Sequence, residues 1–235
     1  MQGAGHQWLT TDHIPAAGSD LDIDDAGDYK VSPVASFCVI SAIDHLGSVC
    51  DALVSGQPIR HYAHFTTLRT ALLASARARW ILEPDGSVGR QLRCLQVRFQ
   101  NLDEQRKAFN GFAGSHLEPE TEQSRIRAIT SLDSEADSLE AQALTLGSQR
   151  LTVPIDTVSM LRNHLVDADT WYGSAILNLW RTGSAAAHGY HWTEAHRPNP
   201  REFDELSFNM ALYGAFLFVT AAITLYDARA SAPSP

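Results

Sequence analysis

The amino-acid sequence predicts an all-α protein: a bundle of about six or seven helices with a long antiparallel helical hairpin over residues 88–146. Three observations carry that prediction. From Ser32 onward, apolar residues recur at alternating steps of three and four. Gly and Pro interrupt the pattern at Gly56 and Pro58, Glu83-Pro84-Asp85-Gly86, Asn110 to Ser115, Gly147, and Arg197-Pro198-Asn199-Pro200. No stretch of useful length alternates with period two, and no internal repeat is visible.

The bulk numbers narrow the class. A chain of 235 residues that is 44% hydrophobic fits one domain of generous size and is too apolar to be wholly disordered. With a net charge of -9 the molecule as a whole is repelled by nucleic acid, so any RNA contact has to be local. Cys38, Cys50 and Cys94 are odd in number and lack CxxC spacing, which argues against a disulfide framework or zinc ribbon and for a reducing, cytoplasmic setting. The N-terminus lacks a basic start followed by an apolar core, so no secretory signal is expected.

Residues 1–31 read as a flexible acidic arm, with Asp20, Asp22, Asp24, Asp25 and Asp28 in one run. The spacing of the first three resembles the start of a calcium loop, but Asp25 stands where that loop needs Gly and Val31 where it closes with Glu. A single helical domain then spans 32–228, and 229–235 read as a disordered tail. Ser32-Pro33 reads as N-cap and first helical position of a helix whose apolar side is Val34, Phe37, Ile40, Ile43, Leu46 and Leu53. A second helix, from about His61 to Leu82, shows Phe65, Leu68, Leu72, Ala76 and Trp80 on one face.

The hairpin is predicted by two adjacent seams. Leu92, Leu95, Phe99, Leu102 and Phe109 form one; Ile129, Leu132, Ala136, Leu139, Ala143 and Leu146 form the other. Arg90, Arg93, Arg98, Arg106 and Lys107 on the first arm face an acidic second arm with Glu118, Glu120, Glu122, Asp133, Glu135, Asp137 and Glu140, which predicts pairing by charge. A short helix is expected over Asp156 to Leu165. Another starts at Asp169 or Thr170 and is capped by Gly189. The last runs from about Pro200 to Asp227 and holds seventeen uncharged residues, Met210 to Tyr226. That run sits at the low edge of a membrane span, and a buried bundle core is the expected use.

Chemistry concentrates in Trp180 to Trp192. Arg181 and His188 are seven residues apart, close to two helical turns, so both point the same way. A guanidinium is forked and permanently charged, suited to phosphate; an imidazole can take and return a proton. Together they could cleave RNA without metal, His188 as general base or acid and Arg181 holding the phosphorane charge, with a hydroxyl from Thr182 or Ser184. The same residues read structurally as packing or dimer contacts.

This stretch resembles the Arg-x(4–6)-His motif of the HEPN superfamily. Two further pieces resemble uncharacterised bacterial HEPN-like proteins: Arg69 to Trp80, an Arg-containing helix, and Ser184-Ala-Ala-Ala-His188-Gly189. The resemblance implies a helical bundle that dimerises, so that Arg and His from both copies line one cleft. In active members it implies metal-independent RNA cleavage, often in toxin–antitoxin or phage-defence systems, with an antitoxin as protein partner. Thr182 stands where active members commonly have Asn, Asp or His, and Leu73 where relatives often carry Glu, so an inactive relative fits too.

Other chemistries remain open. His61, His64, His188, His191 and His196 could supply three imidazoles, as in DinB-type metal enzymes, although Gly189 interrupts the helical spacing. Ser184 and His188 have nucleophile–base spacing but no strand-turn-helix elbow. Trp171, Tyr172, Trp180, Tyr190 and Trp192 could stack on bases or fill a core, and a non-enzymatic interaction module is the alternative class. No Gly-rich phosphate loop or dinucleotide pattern is present, so no cofactor is expected.

Overall fold

The structure, a computed structural model, describes residues 7–60, 62–114, 116–148, 150–152, 154–163, 171–195, 199 and 202–232. Among these residues every regular element is helical and none is a strand, as the periodicity predicts. The elements are α1 (Asp20–Asp24), α2 (Ser32–Val54), α3 (Ala63–Leu82), α4 (Ser87–Asn110), α5 (Pro119–Thr145), α6 (Thr157–Asn163), α7 (Trp171–His188), a 3-10 turn (His191–Thr193) and α8 (Glu205–Ala230).

α3 is the centre. It touches α2, α4, α6, α7 and α8. The sequence pattern shows one stripe on it, yet Ala71, Ser75, Ala78, Ile81 and Leu82 are buried along with Phe65, Leu68, Leu72 and Ala76. Short side chains on several sides let neighbouring helices approach from several directions, so no single stripe defines the inside. α2 shows the same effect in reverse. Its buried face is Ala35, Cys38, Val39, Ala42, Ile43, Leu46 and Val49, whereas Phe37, read as core from spacing, is 69% exposed. Both α2 and α8 are long and apolar enough to cross a membrane by length and composition; here they flank α3. α8 buries Phe208, Ala211, Gly214, Ala215, Phe218, Val219, Ala222 and Tyr226.

Within residues 7–31, several side chains and backbone groups pack on the bundle. Trp8 stacks on His13 at 3.4 Å between ring centroids and meets Tyr226 edge-on at 5.5 Å. The Tyr226 hydroxyl donates to the His13 carbonyl at 2.9 Å, and Ala16 N–H donates to Ala230 O at 2.8 Å. Leu21 is fully buried. Asp25, not Ser32, organises the start of α2: its carboxylate accepts from Val31 N (2.7 Å), Ser32 N (3.0 Å) and the Ser32 hydroxyl.

Two residues of the acidic run, Asp20 and Asp24, are ion-pair partners. Asp24, itself buried, accepts from Arg90 Nε at 2.5 Å and from a terminal nitrogen at 3.1 Å. Arg90 is 1% exposed and also donates to the carbonyls of Pro84 (2.9 Å) and Asp85 (2.7 Å). Arg229 donates to Asp20 (2.6 Å), Leu82 O (3.2 Å), Glu83 O (3.3 Å) and Asp85 (3.1 Å). Arg93 reaches Trp80 O at 2.6 Å. Arg93 and Arg229 thus bond carbonyls at the end of α3, where the helix dipole is negative, and Arg90 bonds those of the turn that follows. Arg229 is therefore a tie between segments.

A second apolar cluster joins α4 and α5 through Leu95, Leu102, Leu139 and Ala143, with Leu151 and Tyr29 at its edge. The predicted charge pairing is mostly not used. Among the described residues the two helices share the exposed Arg106–Asp133 contact at 3.5 Å. Arg90 pairs with Asp24, Arg93 with Glu83, and Lys107 with Asp103 and Glu104 of its own helix. Charge complementarity between arms says nothing about competitors elsewhere in the chain.

Two outcomes follow. Arg90→Ala leaves the Asp24 carboxylate buried without its partner and should lower unfolding free energy by about 3–5 kcal/mol in urea titrations, while Arg90→Met with Asp24→Leu should recover much of that loss. Burial pushes the Cys38 and Cys94 thiols up to about 11. Native protein should therefore react with a disulfide reagent at Cys50 at most, the other two reacting only after unfolding, as peptide mapping would show.

Candidate active site and adjoining cleft

α7 carries the candidate site, and two glycines set where it lies. A Cβ on Gly183 would stand 2.6 Å from Arg69 Cβ and 2.8 Å from the Phe65 carbonyl, so only Gly lets α7 come this close to α3. A Cβ on Gly214 of α8 would strike Ile176 Cδ1. At its end α7 closes with Gly189 at φ 68°, and Tyr190 N–H donates to Ala185 O at 2.9 Å, a Schellman cap. His188 is the last helical residue.

The helical period sorts the predicted residues into three stripes. Arg181, Ser184 and His188 fall on one; Arg181 and His188 are exposed and Ser184 is half-buried. Seven residues of rise separate the first and last by about 10 Å along the axis. The His188 ring lies 5.6 Å from that of Tyr190, itself exposed, and His191 is exposed on the 3-10 turn.

Arg69, on α3, packs against a second stripe of α7, that of Trp180 and Gly183. Its guanidinium lies 5.8 Å from the Trp180 ring centroid. Arg69 Nε and Trp180 Nε1 are both buried with no acceptor within reach. Desolvation there holds Arg69 below the ordinary guanidinium range.

Thr182 belongs to the third stripe, with Asn178 and Ala186, and these three face a cleft of about 200 Å³. Tyr62 and Phe65 of the α3 entry, and Trp192, Thr193 and Glu194 of the 3-10 turn, form two of its walls; Asp204 and Ser207 of the α8 entry form another. Tyr62 OH donates to Glu194 Oε1 at 3.1 Å, and Asp204 caps α8 by accepting from Ser207 N at 3.0 Å. Beside it, burial and then the Arg60 charge hold His64 below the usual imidazole range. Its Nδ1 accepts from Arg60 N at 3.0 Å.

The structure thus brings Arg181, Ser184 and His188 to one side of α7 and Thr182 to another, while Arg69 packs against α7 from α3. Sequence reasoning missed Tyr62, Asn178, Glu194, Asp204 and Ser207. They come from four separated segments, and no local spacing links them. Of the metal reading, His61 and His196 lie outside the described residues, as do the Trp171 and Tyr172 side chains. Among the described residues no group of three His, Cys, Asp or Glu side chains could hold a metal ion. Compared with protein families, curated proteins and solved structures, the chain has no match in any of the three.

Replacing Gly183 by Val should push α7 off α3. A loss of about 1–3 kcal/mol in chemical denaturation is expected, with a shifted tryptophan emission from Trp180.

Proposed function

We propose that this protein is a HEPN-like, metal-independent endoribonuclease acting as a homodimer in the cytoplasm, of the toxin–antitoxin or phage-defence type. The observation that supports this most is the Arg181–Ser184–His188 stripe at the end of α7, with Arg181 and His188 exposed. A substrate phosphate can approach both charged groups without any part of the core opening. In that reading His188 takes the proton from a ribose 2′-hydroxyl as it attacks phosphorus. Arg181 holds the charge that gathers on the phosphoryl oxygens, and the bond to the 5′ oxygen breaks. The proton needed by that leaving oxygen comes from the partner subunit's His188.

In the same reading α4 and α5 act as a protruding antiparallel hairpin that takes a protein partner such as an antitoxin. Its outer side is strongly charged, and its inner seam is closed by its own leucines. A second reading, a non-enzymatic interaction module, is favoured by apolar side chains left outside α2 and α8, among them Phe37 and Tyr213, the latter 58% exposed.

Purified protein should cut single-stranded RNA in EDTA. His188→Ala should lower the rate by about 10²–10⁴, and Arg181→Ala by about 10²–10³. Both variants should keep the parent circular-dichroism spectrum and melting temperature, since neither side chain is in the core. Cutting that needs a divalent ion, or that survives in His188→Ala, would exclude this mechanism.

A further inference from the structure

We propose that the outward face of α8, with the adjoining start of α2, docks a helix of another protein that carries an apolar stripe flanked by Lys or Arg. This names the partner for the interaction reading and rests on it for the role of that face. It holds whether or not the protein cuts RNA.

α8 is apolar on two sides. One side is used by the core, through Phe208, Ala211, Ala215, Phe218, Ala222 and Tyr226. On the other, Leu206, Met210, Tyr213, Leu217, Thr220 and Thr224 recur at alternating steps of four and three, the spacing of a seam between paired helices. Leu206 is 73% exposed and Tyr213 58%. Thr220 and Thr224 are exposed, and Met210 and Leu217 are half-buried. From Leu206 to Tyr226 the helix carries no charge, whereas the water-facing side of a surface helix is ordinarily charged. α2 extends this surface. Ser32 and Ser36 reach the Tyr226 hydroxyl, so α2 starts where α8 ends. Ile40, one turn on from Ser36, lies on the same side of α2 and is 37% exposed; Phe37 beside it is 69% exposed.

Charge chooses the occupant. α2 has no Lys or Arg, and α8 has Arg229 alone, which is taken up by Asp20 and Asp85. The rim carries exposed carboxylates instead: Asp44, one turn past Ile40, and Glu205 and Asp227 at the two ends of α8. None of these three forms an ion pair among the described residues. A second copy laid along α8, in either direction, sets these acidic ends against each other, which is repulsive. A lipid surface is disfavoured by the same charges, since helices that lie on membranes carry Lys or Arg at the rim. The footprint agrees. Leu206 to Thr224 spans about 27 Å and one helix is about 10 Å wide, well short of the ~800 Å² per partner of a standard interface. A single helix with basic flanks matches the stripe and the rim together.

The test uses the intact protein and three labelled peptides of about 21 residues, or three heptads, followed by fluorescence anisotropy. One repeats Leu at steps of three and four with Lys on the flanks; the second puts Glu for each Lys; the third scrambles the first. The Lys peptide should bind at least about tenfold more tightly than either control, and more weakly as salt rises. Tyr213→Glu and Thr220→Glu, both at exposed places on the stripe, should each weaken it about tenfold or more while keeping the parent melting temperature. Asp44→Lys with Glu205→Lys should reverse the preference and admit the Glu peptide. Glu135→Lys with Asp137→Lys, exposed on α5, should leave the Lys peptide bound as before. Equal binding of the scrambled peptide reduces the effect to net charge and overturns the proposal, as does unchanged binding in both stripe variants. A Glu peptide that binds best, and is lost in Tyr213→Glu, keeps the interaction reading but overturns the basic partner. A parent dimer that Tyr213→Glu dissolves in sedimentation assigns the face to a second copy and overturns the proposal. Flotation with phosphatidylcholine–phosphatidylglycerol vesicles that Tyr213→Glu abolishes assigns it to lipid, with the same result. No peptide bound, with neither such dimer nor flotation, removes the proposal and the interaction reading together.

Discussion

The buried Arg90–Asp24 pair is the constraint on which the arrangement of the bundle most depends. An isolated guanidinium in a dry interior is costly, and Arg90 is offset because Asp24 meets it in a two-pronged contact and two carbonyls take two more of its hydrogens. Those partners come from different places: α1, before the main helices begin, and the turn that ends α3. Arg229, from the other end of the chain, closes the same cluster through Asp20 and the α3 carbonyls. Polar groups in such a cluster accept few alternative geometries, so it fixes register where the apolar contacts of α2, α3 and α8 would tolerate sliding.

With one end of α3 held this way, the opposite end becomes a stable platform. Tyr62, Phe65 and Arg69 lie there, and α7 is seated on them through Gly183. The site is thus built from rigid helix rather than from a loop, and its three stripes keep their relation to one another because one helix carries them all. At the contact between Arg69 and Trp180 two buried nitrogens sit without acceptors. Close helix approach at Gly183 accounts for it, since there is no room for a partner between the two backbones.

What was legible in the sequence follows from how local each signal is. Helical class and breaker positions are local, and α2, α3, α4, α5 and α7 lie close to where spacing puts them. The side of α7 that carries Arg181 and His188 is equally local, since two turns of one helix decide it. The partners of charged residues are not local. Asp24 reads as solvated because nothing near it in sequence announces Arg90, sixty-six residues away. Phe37 reads as core because size and spacing suggest it, whereas the inside of α2 is chosen by small residues that let α3 come close. The cleft was invisible for the same reason: its walls meet only after α3, α7, the 3-10 turn and α8 have packed.

The stacking of Trp8, His13 and Tyr226, with the bond from Ala16 to Ala230, draws the early and late segments of the chain to one pole of the bundle. The cleft lies at the other pole, where α8 begins, and α8 is 26 residues long, or about 39 Å. Fluorophores or fusion partners attached near residue 8 or residue 230 would therefore travel with the fold yet stand a full helix length from the cleft. They would report on unfolding or self-association without shading the surface where chemistry is expected.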